Sequence, residues 1–273
     1  MRLERPSREL FIGEIISQTF QLYIGRFVTF FLPFLVSGLI SAILMWSLFL
    51  TFPFPTAPSP GAPPGVVLQW FGDFLAALIA IIVLGGIVSW VIGSIATGMV
   101  VKSASDFIEK QGGTLQESFS FAMSRLPSLL VASIITGILT FIGFLFFVIP
   151  GIILMIIFYL VVPTIIIERK GALESLGRSS RLVSHRWLKT FVTFLVVAFI
   201  IVVISLIASL IVFPFEFAAG PPFEISSTFA IRLMFTSVVG SFVAPISPIS
   251  TTLLYYSMLA KEASELPPPP PLI

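Results

Sequence analysis

Cysteine is missing from this chain of 273 residues, histidine occurs once, and charged residues make up only 10% of it. Without cysteine there is no disulfide framework, no thiolate metal site and no cysteine nucleophile. A single histidine, His185, with no HExxH or paired-histidine pattern, leaves no metal centre to expect. No GxSxG, Walker A or kinase signature is present either, so neither an enzyme nor a cofactor is expected. Asparagine is absent too, which excludes N-glycosylation and fits a heat-adapted prokaryotic source.

The shortage of charge has the largest consequence. Ordinary globular domains carry about 25% charged residues. Here 57% of residues are hydrophobic and the mean hydropathy is +1.09. A soluble fold of that composition would expose large apolar patches, so the chain is expected to be an integral membrane protein. Arg2, Arg5 and Arg8 alternate with Glu4 and Glu9 before any apolar run, unlike a cleaved signal peptide.

Six apolar spans are predicted. Residues 7–26 read as an amphipathic helix, with Ser7 as N-cap and Phe11, Ile15, Thr19, Leu22 and Tyr23 at helical spacing. Phe27–Leu50 is the first span, with Pro33 as a kink. An uncharged proline-rich loop then leads to a second span, from Val67 or Phe74 to Val101. In that span Gly85, Ser89, Gly93 and Thr97 fall four apart, a small-residue ridge suited to close helix packing; no phosphate-loop pattern accompanies it.

Thr114 and Glu117 form a capping-box pattern opening a short helix before the third span, Pro127–Val148. Pro150-Gly151 is read as the turn into a short fourth span, Ile152–Ile167, interrupted by Pro163. Ala172–Trp187 reads as a surface helix with Leu173, Leu176, Val183 and Trp187 on its apolar side. The fifth span is Leu188–Val212, followed by a loop holding Glu216, Gly220-Pro221-Pro222 and Glu224. The sixth, Thr228–Leu259, contains Pro245 and Pro248, which should break it. A disordered proline-rich tail is expected over 263–273.

The fold expected is therefore all-α: six transmembrane helices as three hairpins, each preceded by an amphipathic interfacial helix. A weak threefold repeat (7–101, 102–168, 169–262) underlies this plan within one domain, 7–262. All but Arg232 of the 15 Lys and Arg fall on one side of the spans. That asymmetry places both termini in the cytoplasm of a multi-pass protein of the cell membrane.

Three groups of residues are candidates for function. Arg178, Arg181, His185, Arg186 and Lys189 form a basic face suited to anionic lipid headgroups, although such residues also serve simply to fix topology. His185 within it is either a pH switch or a residue at headgroup level, the second being favoured by its basic neighbours. Asp73 and Arg232, near span ends, either pair across a helix interface or reach separately for water. Finally, Pro33, Pro163, Pro245 and Pro248 are candidate kinks. Membrane lipids are the expected partners, with a protein partner or a second copy as further options, and nucleic acid is not expected.

The central stretch also resembles a known family. Pro150-Gly151-Ile152, Pro163, Glu168-Arg169-Lys170-Gly171, Ala172 to Leu176, Arg178-Ser179, Leu182-Val183 and Arg186-Trp187 are similar to the membrane domain that accompanies some glycerophosphodiester phosphodiesterases. Glu14, Tyr23 and Arg26-Phe27 resemble that domain's first helix. The resemblance implies a multi-helix membrane domain of the stand-alone prokaryotic kind, without the catalytic barrel. Two functions follow as expectations: a non-enzymatic, lipid-interacting membrane module, or a transporter of lipid or small apolar solutes using a cleft near the broken sixth helix.

Overall fold

The computed structural model describes residues 5–109, 112–218 and 227–265, with side chains for all of these except 211–218 and 227–228. Among the described residues every regular element is a helix. Six helical stretches are long and apolar enough to cross a membrane, so the chain is a multi-pass membrane protein. Gly220, Pro221, Pro222, Glu224, the Glu216 side chain and the tail from 266 lie outside the described residues.

The chain divides into two compact units. One comprises residues 1–33, 94–203 and 244–273, the other 34–93 and 204–243. Helix α1 (Ile12–Gly25) is capped at Phe11, four residues later than the expected Ser7. Its start is fixed by Glu14, whose carboxylate accepts the Phe11 N–H at 2.7 Å and the Arg8 guanidinium. Helix α2 (Phe27–Thr51) runs unbroken through Pro33, so the expected kink is not a break. Helix α3 (Pro64–Ala80) passes through one π-helical turn, Ile81–Gly85, into α4 (Gly86–Glu109).

Helix α5 (Leu115–Phe146) opens on the expected capping box: Glu117 N–H donates to Thr114 Oγ1 at 3.2 Å and Thr114 N–H to the Glu117 carboxylate at 3.3 Å. It continues through Pro127, so the short helix and third span expected here are one element. The reversal that follows lies at Phe147, in extended conformation, not at Pro150-Gly151. Both residues fall in the first turn of α6 (Val148–Ile157), where proline is tolerated because an N–H there has no helical partner. Gly151 instead allows close approach: a Cβ on it would run into the Phe144 ring, and one on Gly143 would meet the Gly151 backbone.

The fourth span breaks at 158–160 and resumes as α7 (Val161–Ile167). Pro163 accounts for the break, since it has no N–H to donate one turn back and its ring crowds that carbonyl. The buried Ser179 hydroxyl, on α8 (Ala172–Ser184), mends the gap. It accepts the Leu160 N–H at 3.3 Å and donates to the Ile157 carbonyl at 2.7 Å. The packed face of α8 is Ser175, Leu176, Ser179, Leu182 and Val183. Leu173, expected on that face, is 72% exposed.

Helix α9 (Trp187–Ala218) is the fifth span. The sixth is broken at Ala244-Pro245 into α10 (Ser227–Val243) and α11 (Ile246–Glu265), as its prolines predict. Helix α11 runs to Glu265, into the expected tail, and is buried over almost its whole length. Within it Thr251 and Thr252 both donate to the Pro248 carbonyl. In the first unit α1 packs on α11, while α5, α7 and α8 enclose a core of Val101, Leu129, Val161, Ile165, Ile166 and Leu176.

Candidate functional site

Ionisable side chains of the first unit gather where α1 and α8 meet the ends of α7 and α11 and the start of α9. Glu168, closing α7, is one centre. Its Oε1 accepts Arg178 Nε at 2.8 Å and the Tyr255 hydroxyl at 2.5 Å, and Lys170 pairs with its other oxygen. Arg178 extends its other two nitrogens to Glu262 at 2.7 and 2.6 Å, so one guanidinium bridges two carboxylates. Burial alone would raise the Glu168 carboxyl, but Lys170, Tyr255 and Arg178 outweigh it and hold the group below its ordinary range. The bidentate bond to Glu262 raises the Arg178 guanidinium further, against the opposing effect of burial.

A second centre is Glu9. Lys189 Nζ lies 2.7 Å from its carboxylate and 3.1 Å from Ser257 Oγ, which also accepts the Leu10 N–H at 2.9 Å. Arg186 stands 3.8 Å from Glu9 and donates to Glu265 at 2.8 Å. Burial pushes the Glu9 carboxyl up, and Lys189, Arg186 and Lys261 bring it net below its ordinary value. A third, smaller centre is the Tyr256 hydroxyl, bonded to Ser105 and Glu109 at 2.7 Å each. Charged and hydroxyl groups thus tie the chain's two termini to its middle.

This geometry redistributes the basic face expected from sequence. Arg178, Arg186 and Lys189 are only 16%, 14% and 15% exposed and are occupied by glutamates. Arg181 and His185 remain exposed, His185 bonded to the adjacent Ser184 hydroxyl at 3.1 Å. Sequence reasoning missed the acidic partners Glu9, Glu168, Glu262 and Glu265 because they lie 10 to 180 positions from Arg178, Arg186 and Lys189. Their one signal was the clustering of glutamates at the edges of apolar spans.

In the second unit, Asp73 and Arg232 do not pair. Asp73 is exposed on α3, and the Arg232 guanidinium lies 5.0 Å above the Phe229 ring. Of the ridge, Gly85 is packed closely, since a Cβ there would strike the Met45 thioether, whereas Gly93 faces open space. The proline-rich loop is pinned by Trp70, whose indole N–H donates to the Pro55 carbonyl at 3.1 Å.

Two grooves open on the helix surfaces. In the first unit Ser133, Thr136, Gly137, Thr140, Phe141 and Phe144 of α5 face Met155 and Phe158 across a groove of about 440 Å³. The Ser133 and Thr136 hydroxyls donate to carbonyls of their own helix, so the groove presents little free hydrogen-bonding capacity. In the second unit Ser205, Ala208 and Ser209 of α9 face Thr236, Val239, Gly240 and Val243 of α10 across about 170 Å³. Among the described residues no three His, Asp or Glu side chains converge as metal ligands would.

No curated protein and no solved structure matches the chain. A family model described as a domain of unknown function (DUF7847) matches residues 73–257, and nothing in that match refers to phosphodiesterase membrane domains. Spanning both grooves and the cations Arg178, Arg186 and Lys189 of the ion-pair network, that match covers more than half of the sequence, and the chain belongs to the DUF7847 family.

Proposed function

We propose that the protein is a lipid-interacting membrane module that carries out no catalysis of its own. It sits in the cell membrane with both termini in the cytoplasm, its six spans pairing as three hairpins introduced by amphipathic segments. The side that holds the ion-pair network is the cytoplasmic one, as the distribution of Lys and Arg favours. In this reading the network is a rigid base, and Arg181 and His185 are the parts of the expected basic face left to meet headgroups.

One observation carries the reading: the groove of about 440 Å³ along α5 and α6. It falls within the size range of small-ligand sites, roughly 300–1,000 Å³. Phe141, Phe144, Met155 and Phe158 line it, and its hydroxyls are largely spent on their own helix, so an acyl chain suits it better than a polar solute. Gly137 offers a clean test, because a Cβ there meets nothing within 4 Å and a larger side chain would extend into the groove. Native mass spectrometry of the protein extracted gently from its own membrane should find retained lipid that Gly137→Leu removes. Equal lipid retention in Gly137→Leu would defeat the reading.

A second reading, a transporter of lipid or small apolar solutes, is favoured by the smaller groove, whose last lining residue, Val243, directly precedes the break at Ala244-Pro245. Substituting Pro245 by Ala should then abolish flux of a fluorescent lipid in proteoliposomes while leaving the protein folded. Unchanged flux, or none in the parent protein, would remove this alternative.

A further inference from the structure

One aromatic ring of the first unit collects three cations. Around Phe121 of α5, Lys102 Nζ stands 5.1 Å from the ring centroid, the Arg169 guanidinium carbon 5.4 Å and that of Arg125 5.9 Å. All three charges therefore lie inside a sphere of 5.9 Å radius about a single ring. Each gains a cation–π contact there, but like charges held so close also repel one another.

Two of these three cations lack a carboxylate partner, Arg125 half-buried and Arg169 exposed. Lys102 alone has a carboxylate, Asp106 at 2.6 Å. Arg125 and Arg169 form no ion pair with any described carboxylate, in contrast to Lys170, Arg178, Arg186 and Lys189. Arg169 is also the one described residue other than glycine at positive φ, 58°, a conformation disfavoured for a long side chain. A strained backbone thus holds Arg169 at the same ring as two other cations, with no carboxylate paired to either guanidinium among the described residues.

We propose that Lys102, Arg125 and Arg169 bind the phosphate group of an anionic ligand, the Phe121 ring forming one wall of the site. Two uncompensated guanidinium groups match the charge of a phosphate and can each offer it paired N–H donors. The phosphate belongs either to a lipid headgroup or to a soluble phosphate ester. The lipid is favoured by position: Ser133, which opens the groove described above, lies eight residues beyond Arg125 on α5, about 12 Å along a helix.

The test uses the full-length protein in detergent, with phosphatidylglycerol and inorganic phosphate as probes, retained lipid being counted by native mass spectrometry. Arg125→Gln and Arg169→Gly should each lower phosphatidylglycerol retention roughly tenfold, the loss of a charge-assisted bidentate contact. Glycine is chosen at 169 because it relieves the positive φ, so lost binding there is not lost folding. Arg26→Gln, the same change of charge at an exposed residue outside the site and outside the basic face, should alter retention by about twofold at most. If millimolar inorganic phosphate leaves the bound phosphatidylglycerol in place, the ligand is a lipid. If it displaces phosphatidylglycerol from the parent protein, the site takes soluble phosphate compounds. Retention that falls equally in all three variants, or in none, would overturn the proposal.

Discussion

The two units hold themselves together by different chemistry. The first joins distant parts of the chain through ion pairs: Arg178 reaches Glu262 across 84 positions and Lys189 reaches Glu9 across 180. The second has only Asp73 and Arg232 as described charged side chains, and they are not partners. Its contacts are instead aromatic and small-residue ones: Phe49 meets Phe229 edge-on at 4.9 Å, Phe54 meets Phe74 at 5.1 Å, and Gly38 lies against Ser237. Lipid tails are as apolar as leucine, so burying apolar surface adds little between membrane helices, and close packing or polar contacts must do the work. The first unit leans on polar contacts and the second on close packing.

The contrast can be broken most sharply at Arg178. Truncating it to Ala leaves Glu262 without its guanidinium and Glu168 with only Lys170 and Tyr255, and should cost about 3 kcal/mol. Thermal unfolding in detergent would measure this, and Arg178→Lys should recover only part, since an ammonium cannot make the fork. Ser179→Ala comes next. It strands the Leu160 N–H and the Ile157 carbonyl at the break in the fourth span, at about 1–3 kcal/mol, and should raise hydrogen exchange there. In the second unit Phe49→Ala should lose the pairing with Phe229, worth about 0.5–1.5 kcal/mol beyond the buried area. Smallest of all, Asp73→Asn with Arg232→Gln should shift stability by no more than about 0.5 kcal/mol in the same assay.

Acid should divide the units in the same way. Glu9 and Glu168 are held below the ordinary carboxylate value of 4.5 in the folded protein. The folded state therefore binds their protons less tightly than the unfolded state does. Their contribution is complete above about pH 4.5 and is lost as the pH falls through the lower folded values. Hydrogen exchange between pH 6 and 3 should show α1, α8 and the end of α11 loosening first, with little change in α3 and α10.

Much of this contrast could be read in one dimension only on the apolar side. Hydropathy located six spans because every lipid-facing stretch must be apolar whatever its neighbours. Proline chemistry located the breaks near Pro163 and Pro245, and the Thr114–Glu117 pair located a helix start, because each acts within one turn. The continuous α5 was misread because Pro127 follows two polar turns and looks like an entry point, although a membrane helix tolerates it. Pro150-Gly151 looked like a turn because those residues usually make one; here they occupy a helix start and a close crossing. The ion pairs stayed hidden for a plainer reason. Arg178 and Glu168 are one surface helix apart, but Glu9, Glu262 and Glu265 reach their cations only through the packing of α1 and α11.

The central claim is that the basic residues of the first unit serve its own carboxylates before they serve lipid. A double-mutant cycle on Lys189 and Glu9, using Lys189→Met and Glu9→Gln in phosphatidylcholine nanodiscs, tests it most directly. The pair, 2.7 Å apart and joined by Ser257, should show a coupling energy of about 1–3 kcal/mol in thermal or chemical unfolding. Additive effects with no coupling would contradict the account and return Lys189 to the lipid surface.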